Sequence, residues 1–270
     1  MDCREKIMSP QYADLILDFI PPARSVFPEN ITDYCYQTVG DYQILHINRE
    51  QVPSLAVDLF PYSSTPHLYG LMQQDDFDPG SLINSGIYQI QRSPLALTGR
   101  GVILAFLDTG IDYTRPEFRD EEGNSRILAI WDQELQSGTP PEGFLSGSEY
   151  TRSMINAALE SDDPYEIVPS RDELRHGSAM AGVAAGSRVN SGRTYLGAAP
   201  DADIVVVKLK QCKPYFRDYY LIPEEVPAYS EADIMLAVRY AEGFAEAFKR
   251  PVVICLGVGT NQGSHVGTSP

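Results

Sequence analysis

Positive charge is scarce in this 270-residue chain. Its 21 lysines and arginines stand against 37 aspartates and glutamates, for a net charge of -16. Nucleic acid and anionic membranes both need a basic surface, so neither is expected as a partner. Long apolar runs are also missing. None approaches the ~18 residues of a membrane span, and Met1 to Asp18 lacks the continuous apolar stretch of a signal peptide. Cysteine is sparse: Cys3, Cys35, Cys212 and Cys255 are far apart and form no C-x-x-C pair. Neither a disulfide framework nor a zinc site follows from that spacing. No G-x-G-x-x-G or phosphate loop follows a strand, which argues against a nucleotide-binding protein. No internal repeat is visible.

The residues that are present describe an ordinary globular protein, 43% hydrophobic and 21% charged. Residues 1–70 read as a small α+β domain. Tyr12 to Ile20 suits a strand, stopped by Pro21-Pro22. Asp33 to Val39 and Tyr42 to Ile47 are β-type runs joined by Gly40-Asp41, a hairpin signature. Arg49 to Phe60 has helical spacing, with Val52, Leu55, Ala56 and Leu59 on one face. Pro61 to Pro79 reads as connector, with the linker proper at 71–80.

Residues 81–270 change character. Gly101 to Leu107, Ala202 to Lys208 and Pro251 to Leu256 are short continuous apolar runs, as expected of buried parallel strands. Ser230 to Phe248 lies between the last two, with Ile234, Ala237, Val238, Ala241 and Ala245 at helical spacing and Ser230 as a candidate N-cap. Strand, helix and strand in that order form a βαβ unit, so the fold class is α/β with a parallel sheet. Cys255 falls inside one of these runs and reads as a small packed hydrophobe.

Two elements carry chemistry. Asp108 directly follows the run Gly101 to Leu107, and the C-terminal end of a parallel strand is where α/β folds hold functional groups. His176 opens the small-residue segment His176 to Gly186, which suits a closely packed helix. Each alone has a structural explanation: a turn aspartate, or a satisfied core histidine. Asp108-Thr109-Gly110 after a buried strand, followed some 70 residues later by His176-Gly177-Ser178 and Ala181-Gly182, resembles the subtilisin family of serine proteases. Pro116, Phe118 and the segment Leu196 to Ala202 agree with it, in family order.

That resemblance implies a parallel sheet with helices on both faces, incomplete here, preceded by a propeptide-like domain at 1–70. It implies Asp108 and His176 as two members of a catalytic triad. It implies Gly257, Val258 and Gly259 as the edge that pairs with an extended substrate. A protein or peptide substrate and the chain's own propeptide are the expected partners. Ser178, Met180, Arg175 and the Gly257-Val258-Gly259 run depart from the usual family residues, and Arg175 brings charge near His176. The insert Trp131 to Leu174 and the run Gly259 to His265 resemble, more narrowly, the clostridial Csp germination proteases. That group implies a precursor of a spore cortex-lytic enzyme as substrate, and a cytoplasmic or spore compartment.

The nucleophile is expected to lie outside these 270 residues. The family serine sits in Gly-Thr-Ser-x-x-x-Pro, well after the substrate edge. Gly267-Thr268-Ser269-Pro270 imitates it, but proline follows the serine at once, so Ser269 reads as a loop residue. Ser178 would sit on the histidine's own helix, facing away from attack, and Asn261 is too close to the substrate edge to serve as the family's oxyanion asparagine. The parent is thus read as a serine endopeptidase, and this chain alone as inactive. The alternative is a catalytically inactive pseudoprotease that regulates by binding. No cofactor is expected, calcium being the alternative because some subtilases bind it. Asp75, Asp76, Asp78, Asp120, Glu121 and Glu122 include no D-x-D-x-D-G calcium loop, and His46, His67 and His265 show no ligand spacing. Trp131 reads as packing.

Overall fold

The computed structural model of the chain describes residues 1–18, 31–51, 64–72, 80–187 and 196–260. The N-terminal part opens with helix α1 (Cys3–Met8), whose start is closed by a capping box between Asp2 and Glu5. Strands β1 (Tyr12–Asp18), β2 (Tyr34–Val39) and β3 (Tyr42–Asn48) form an antiparallel sheet in the order β1-β3-β2. The hairpin sits where Gly40-Asp41 called for it, with Gly40 at φ 56°, as a two-residue turn requires. The helical face expected over Val52 to Leu59 lies outside the described residues, and Arg49–Gln51 is a short 3-10 turn.

Two features of this part depart from the sequence reading. Cys3 and Cys35 are joined in a disulfide that fastens α1 to β2. The stretch read as connector contains strand β4 (Leu68–Leu71).

Helices α2 (Gly80–Asn84) and α3 (Ile87–Ile90) lead into the main sheet. Its strands are β5 (Ile103–Asp108), β6 (Ile127–Asp132) and β7 (Ser148–Thr151), followed after helices α4 (Arg152–Leu159), α5 (Pro164–Ile167) and α6 (His176–Ala185) by β8 (Asp203–Lys208). Helix α7 (Pro214–Tyr220), strand β9 (Ala228–Ser230) and helix α8 (Glu231–Phe248) precede β10 (Val252–Leu256) and β11 (Val258–Gly259). The main sheet runs β10-β5-β8-β6-β7, parallel except for β7.

Alternation along β5 explains the two helical layers. Ile103, Ala105 and Leu107 pack with Ala237 and Ala241 of α8. Phe106 packs on the other face with Ala181 and Ala185 of α6. A parallel sheet covered on both faces needs apolar side chains at every position, which is why its strands read as unbroken apolar runs. Trp131 is buried in the α8-side core, as packing. Cys255 packs beside the α6-side core.

α8 begins after Ser230, as its sequence required, but the Ser230 hydroxyl makes no capping bond. Glu231 turns back instead and accepts the His67 backbone N–H at 2.9 Å. A buried cation shapes the α6 side: Arg126 donates to the carbonyl of Ala202 at 2.7 Å, of Glu117 at 2.8 Å, and of Ala185. One guanidinium thus satisfies three carbonyls where loop, helix end and strand start converge.

Candidate active site

β5 delivers Asp108 at its C-terminal end, and α6 begins with His176. The two side chains meet: His176 Nδ1 faces Asp108 Oδ1 at 2.7 Å. Both are buried, at 1% exposure for Asp108 and 6% for His176. The Thr109 backbone N–H also donates to Asp108 Oδ1, at 2.7 Å. Burial pushes the Asp108 carboxyl up from its ordinary range, against the hydrogen bonds from His176 and Thr109 that favour its charged form. Asp108 Oδ2 has no hydrogen-bond partner among the described residues.

Gly257 closes the site from the end of β10. A Cβ there would collide with Asp108 Oδ2 and come within 3.3 Å of His176 Cε1. Glycine at 257 is therefore a condition of the Asp108–His176 arrangement. Gly177, next to the histidine, is confined in the same way against the Gly110 carbonyl.

The edge expected at Gly257 to Gly259 is occupied. β4 lies antiparallel on β11, with Leu71 opposite Val258 and Gly70 opposite Gly259. The Met72 N–H donates to the Gly257 carbonyl at 3.2 Å. On its other side β4 pairs with β9, Leu68 opposite Ser230 and Gly70 opposite Ala228. A strand of the N-terminal part is thus held between two edges. It ends at His176, whose Nε2 lies 2.9 Å from the Met72 carbonyl oxygen.

The remaining candidates fall elsewhere. The Ser178 hydroxyl is bonded to Asp172 at 2.6 Å and accepts the Asp112 N–H, so it does not address the His176 ring. Arg175 is exposed, in the left-handed region at φ 62°, and its backbone N–H bonds Asp172. Asn261, His265 and Ser269 lie outside the described residues, as do Asp75, Asp76 and Asp78. Among the described residues no group of three acidic, histidine or cysteine side chains could hold a metal ion, and no helix is long and apolar enough to cross a membrane.

Two contributors were not legible as such. β4 carries no period-2 pattern, and Asp172 sits in a charged run that reads as surface. His46, isolated in sequence, is buried against Asp14 at 2.6 Å. His67 pairs with Glu231 at 3.1 Å.

A parallel sheet with helices on both faces, an aspartate at one strand end and a histidine opening the facing helix define a recognisable class. The subtilase family, peptidase S8, matches residues 99–265, and the chain belongs to that family. Among solved structures the chain is similar to the Clostridium perfringens CspB protease, at 32% identity and a TM-score of 0.59. The match covers 71% of this chain and 36% of that one, so the chain spans little more than a third of the neighbour's length. This agrees with the narrower resemblance to the Csp group. No curated protein matches the chain.

Proposed function

We propose that this chain is the N-terminal part of a subtilisin-type serine endopeptidase, with residues 1–70 as its propeptide and the linker at 71–80. One observation carries the reading. A buried Asp108–His176 pair lies at the end of a cleft in which an extended strand pairs with Val258–Gly259 and brings a backbone carbonyl to His176 Nε2. An extended peptide added to an open edge is how such a cleft would take a protein substrate.

In this mechanism a serine supplied by the longer protein attacks the scissile carbonyl. His176 takes the hydroxyl proton at Nε2 and passes it to the leaving amine. Asp108 fixes the imidazole through Nδ1 and stabilises the imidazolium that forms. β4, which runs from the propeptide's end into the linker, occupies the cleft as a substrate-like strand. The Met72 carbonyl at His176 makes Met72–Gln73 the proposed processing bond. Gly257, Val258 and Gly259 bind substrate once β4 leaves.

These 270 residues alone hydrolyse nothing on this reading. Loss of the serine in subtilisin itself costs roughly 10⁶ in kcat, about 8 kcal/mol of transition-state stabilisation. The test is peptide hydrolysis by the longer protein, with and without His176→Ala. Activity that collapses on substitution supports the reading. Activity that survives it rejects the assignment of His176, and an inert longer protein favours the pseudoprotease.

A further inference from the structure

We infer that Asp172 is a positioning residue for the Asp108–His176 pair, joining the end of β5 to the start of α6. The inference rests on the peptidase reading for its purpose, but its geometry stands without it. Asp172 is 8% exposed and its carboxylate accepts four hydrogen bonds. Oδ1 takes the Thr109 hydroxyl at 2.6 Å and the Arg175 N–H at 2.9 Å. Oδ2 takes the Ser178 N–H at 2.8 Å and the Ser178 hydroxyl at 2.6 Å. That fills the roughly four acceptor positions of an ionised carboxylate.

The partners show what the carboxylate controls. Thr109 follows Asp108 directly, and its Oγ1 also accepts the Gly177 N–H at 2.9 Å. Arg175, Gly177 and Ser178 surround His176 in sequence. Their three N–H groups all end on Asp172 or on the hydroxyl that Asp172 holds. Arg175 occupies the N-cap position in a left-handed conformation and caps nothing with its side chain. Asp172 therefore supplies the missing cap from three residues upstream, and its charge is favourable at a helix N-terminus. No contact joins Asp172 to the ring of His176 or to the carboxylate of Asp108 among the bonds it makes. Its bonds act through the two backbones that carry them, and its charge adds to the burial that raises the Asp108 carboxyl.

Asparagine cannot replace it. An amide offers one oxygen, so its NH₂ group would face either the Ser178 N–H or the Thr109–Arg175 pair of donors. The register of α6 against β5 would shift, and the 2.7 Å Asp108–His176 contact with it. A misplacement of about 1 Å in such a pair costs about 10²-fold in rate.

The test is the NMR signature of the His176 Nδ1 proton, which is hydrogen-bonded to Asp108, in the full chain. Asp172→Asn and Thr109→Val should each shift or broaden that resonance. Thr109→Ser, which keeps the hydroxyl, should restore it. Asp132→Asn is the structural control. Asp132 is also buried, accepts the Glu134 and Leu135 N–H groups and the Ser170 hydroxyl, and bonds neither Asp108, His176 nor the backbone beside them. It should lower stability and leave the resonance in place. In the longer protein, Asp172→Asn should lower kcat about 10²-fold with KM little changed. A folded Asp172→Asn chain with an unaltered His176 resonance would overturn the inference. So would Asp132→Asn and Asp172→Asn behaving alike, because that reduces Asp172 to general stability. The resonance needs no hydrolysis, so an inert longer protein would reject the peptidase reading and not this one.

Discussion

The Met72 carbonyl oxygen lies 2.9 Å from His176 Nε2, so the backbone of the N-terminal part covers the ring nitrogen that general-base chemistry requires. The cover is held by strand pairing on both sides and by the Met72 N–H on Gly257. Met72→Pro deletes that donor and loosens the strand end. His176 in that variant should be modified faster by diethyl pyrocarbonate, read by mass spectrometry at each histidine. Unchanged reactivity at His176 would mean the strand does not protect the ring.

Gly257 leaves no space for a side chain beside Asp108. Gly257→Ala should push the carboxylate away from His176 and lower stability by about 1–3 kcal/mol, the usual range for overpacking. The denaturant midpoint measures this. A wild-type midpoint would show that β10 can move aside freely.

Asp14 of β1 makes a buried link to the main unit, accepting Lys213 Nζ and facing His46 Nδ1, each at 2.6 Å. Burial alone would raise its carboxyl. Lys213 and His46 outweigh burial and hold it well below the carboxylate range. A native value below the unfolded one gives stability that is present above pH ~4 and lost as pH falls through the native value. Asp14→Asn should remove that acid dependence. At neutral pH it should cost about 3–5 kcal/mol, because Lys213 stays buried without its counter-charge. Asp14→Asn with Lys213→Met should recover most of the loss. Stability against pH in the three chains checks the sign.

The Cys3–Cys35 bridge spans 32 residues. Closing a loop of that size restricts the unfolded chain by about 3–4 kcal/mol in the chain-entropy account. Reduction should therefore weaken hydrogen-exchange protection in β1 to β3 and leave β5 and β8 unaffected. Equal loss in both sheets would mean that the two parts unfold together.

The main sheet was legible because burial on both faces forces apolar residues at every strand position, as in Ile103 to Leu107 and Ile204 to Val207. Asp108 and His176 were legible because each closes or opens a patterned element. β4 was not: Leu68 to Leu71 has no pattern of its own, and becomes a strand only between β9 and β11. Asp172 reads as one charge in Arg171-Asp172-Glu173, since nothing local reveals that its carboxylate joins the distant Thr109 hydroxyl to Arg175 and Ser178 at the start of α6. Cys3 with Cys35, and Asp14 with Lys213, are likewise pairs made by tertiary contact. Ser230 marked the start of α8 correctly while its hydroxyl stayed out of the cap, because the tight β4–β9 pairing gives that end of the helix to Glu231 and His67.

The most direct test of the central claim is hydrolysis of a fluorogenic peptide by the longer protein proposed to contain this chain, after cleavage at the proposed Met72–Gln73 bond. The expected result is turnover that falls by several orders of magnitude, roughly 10⁴ to 10⁶, with Asp108→Ala or His176→Ala, while the 270-residue chain shows none. Turnover by the 270 residues alone, or turnover in the longer protein indifferent to His176, would contradict the account.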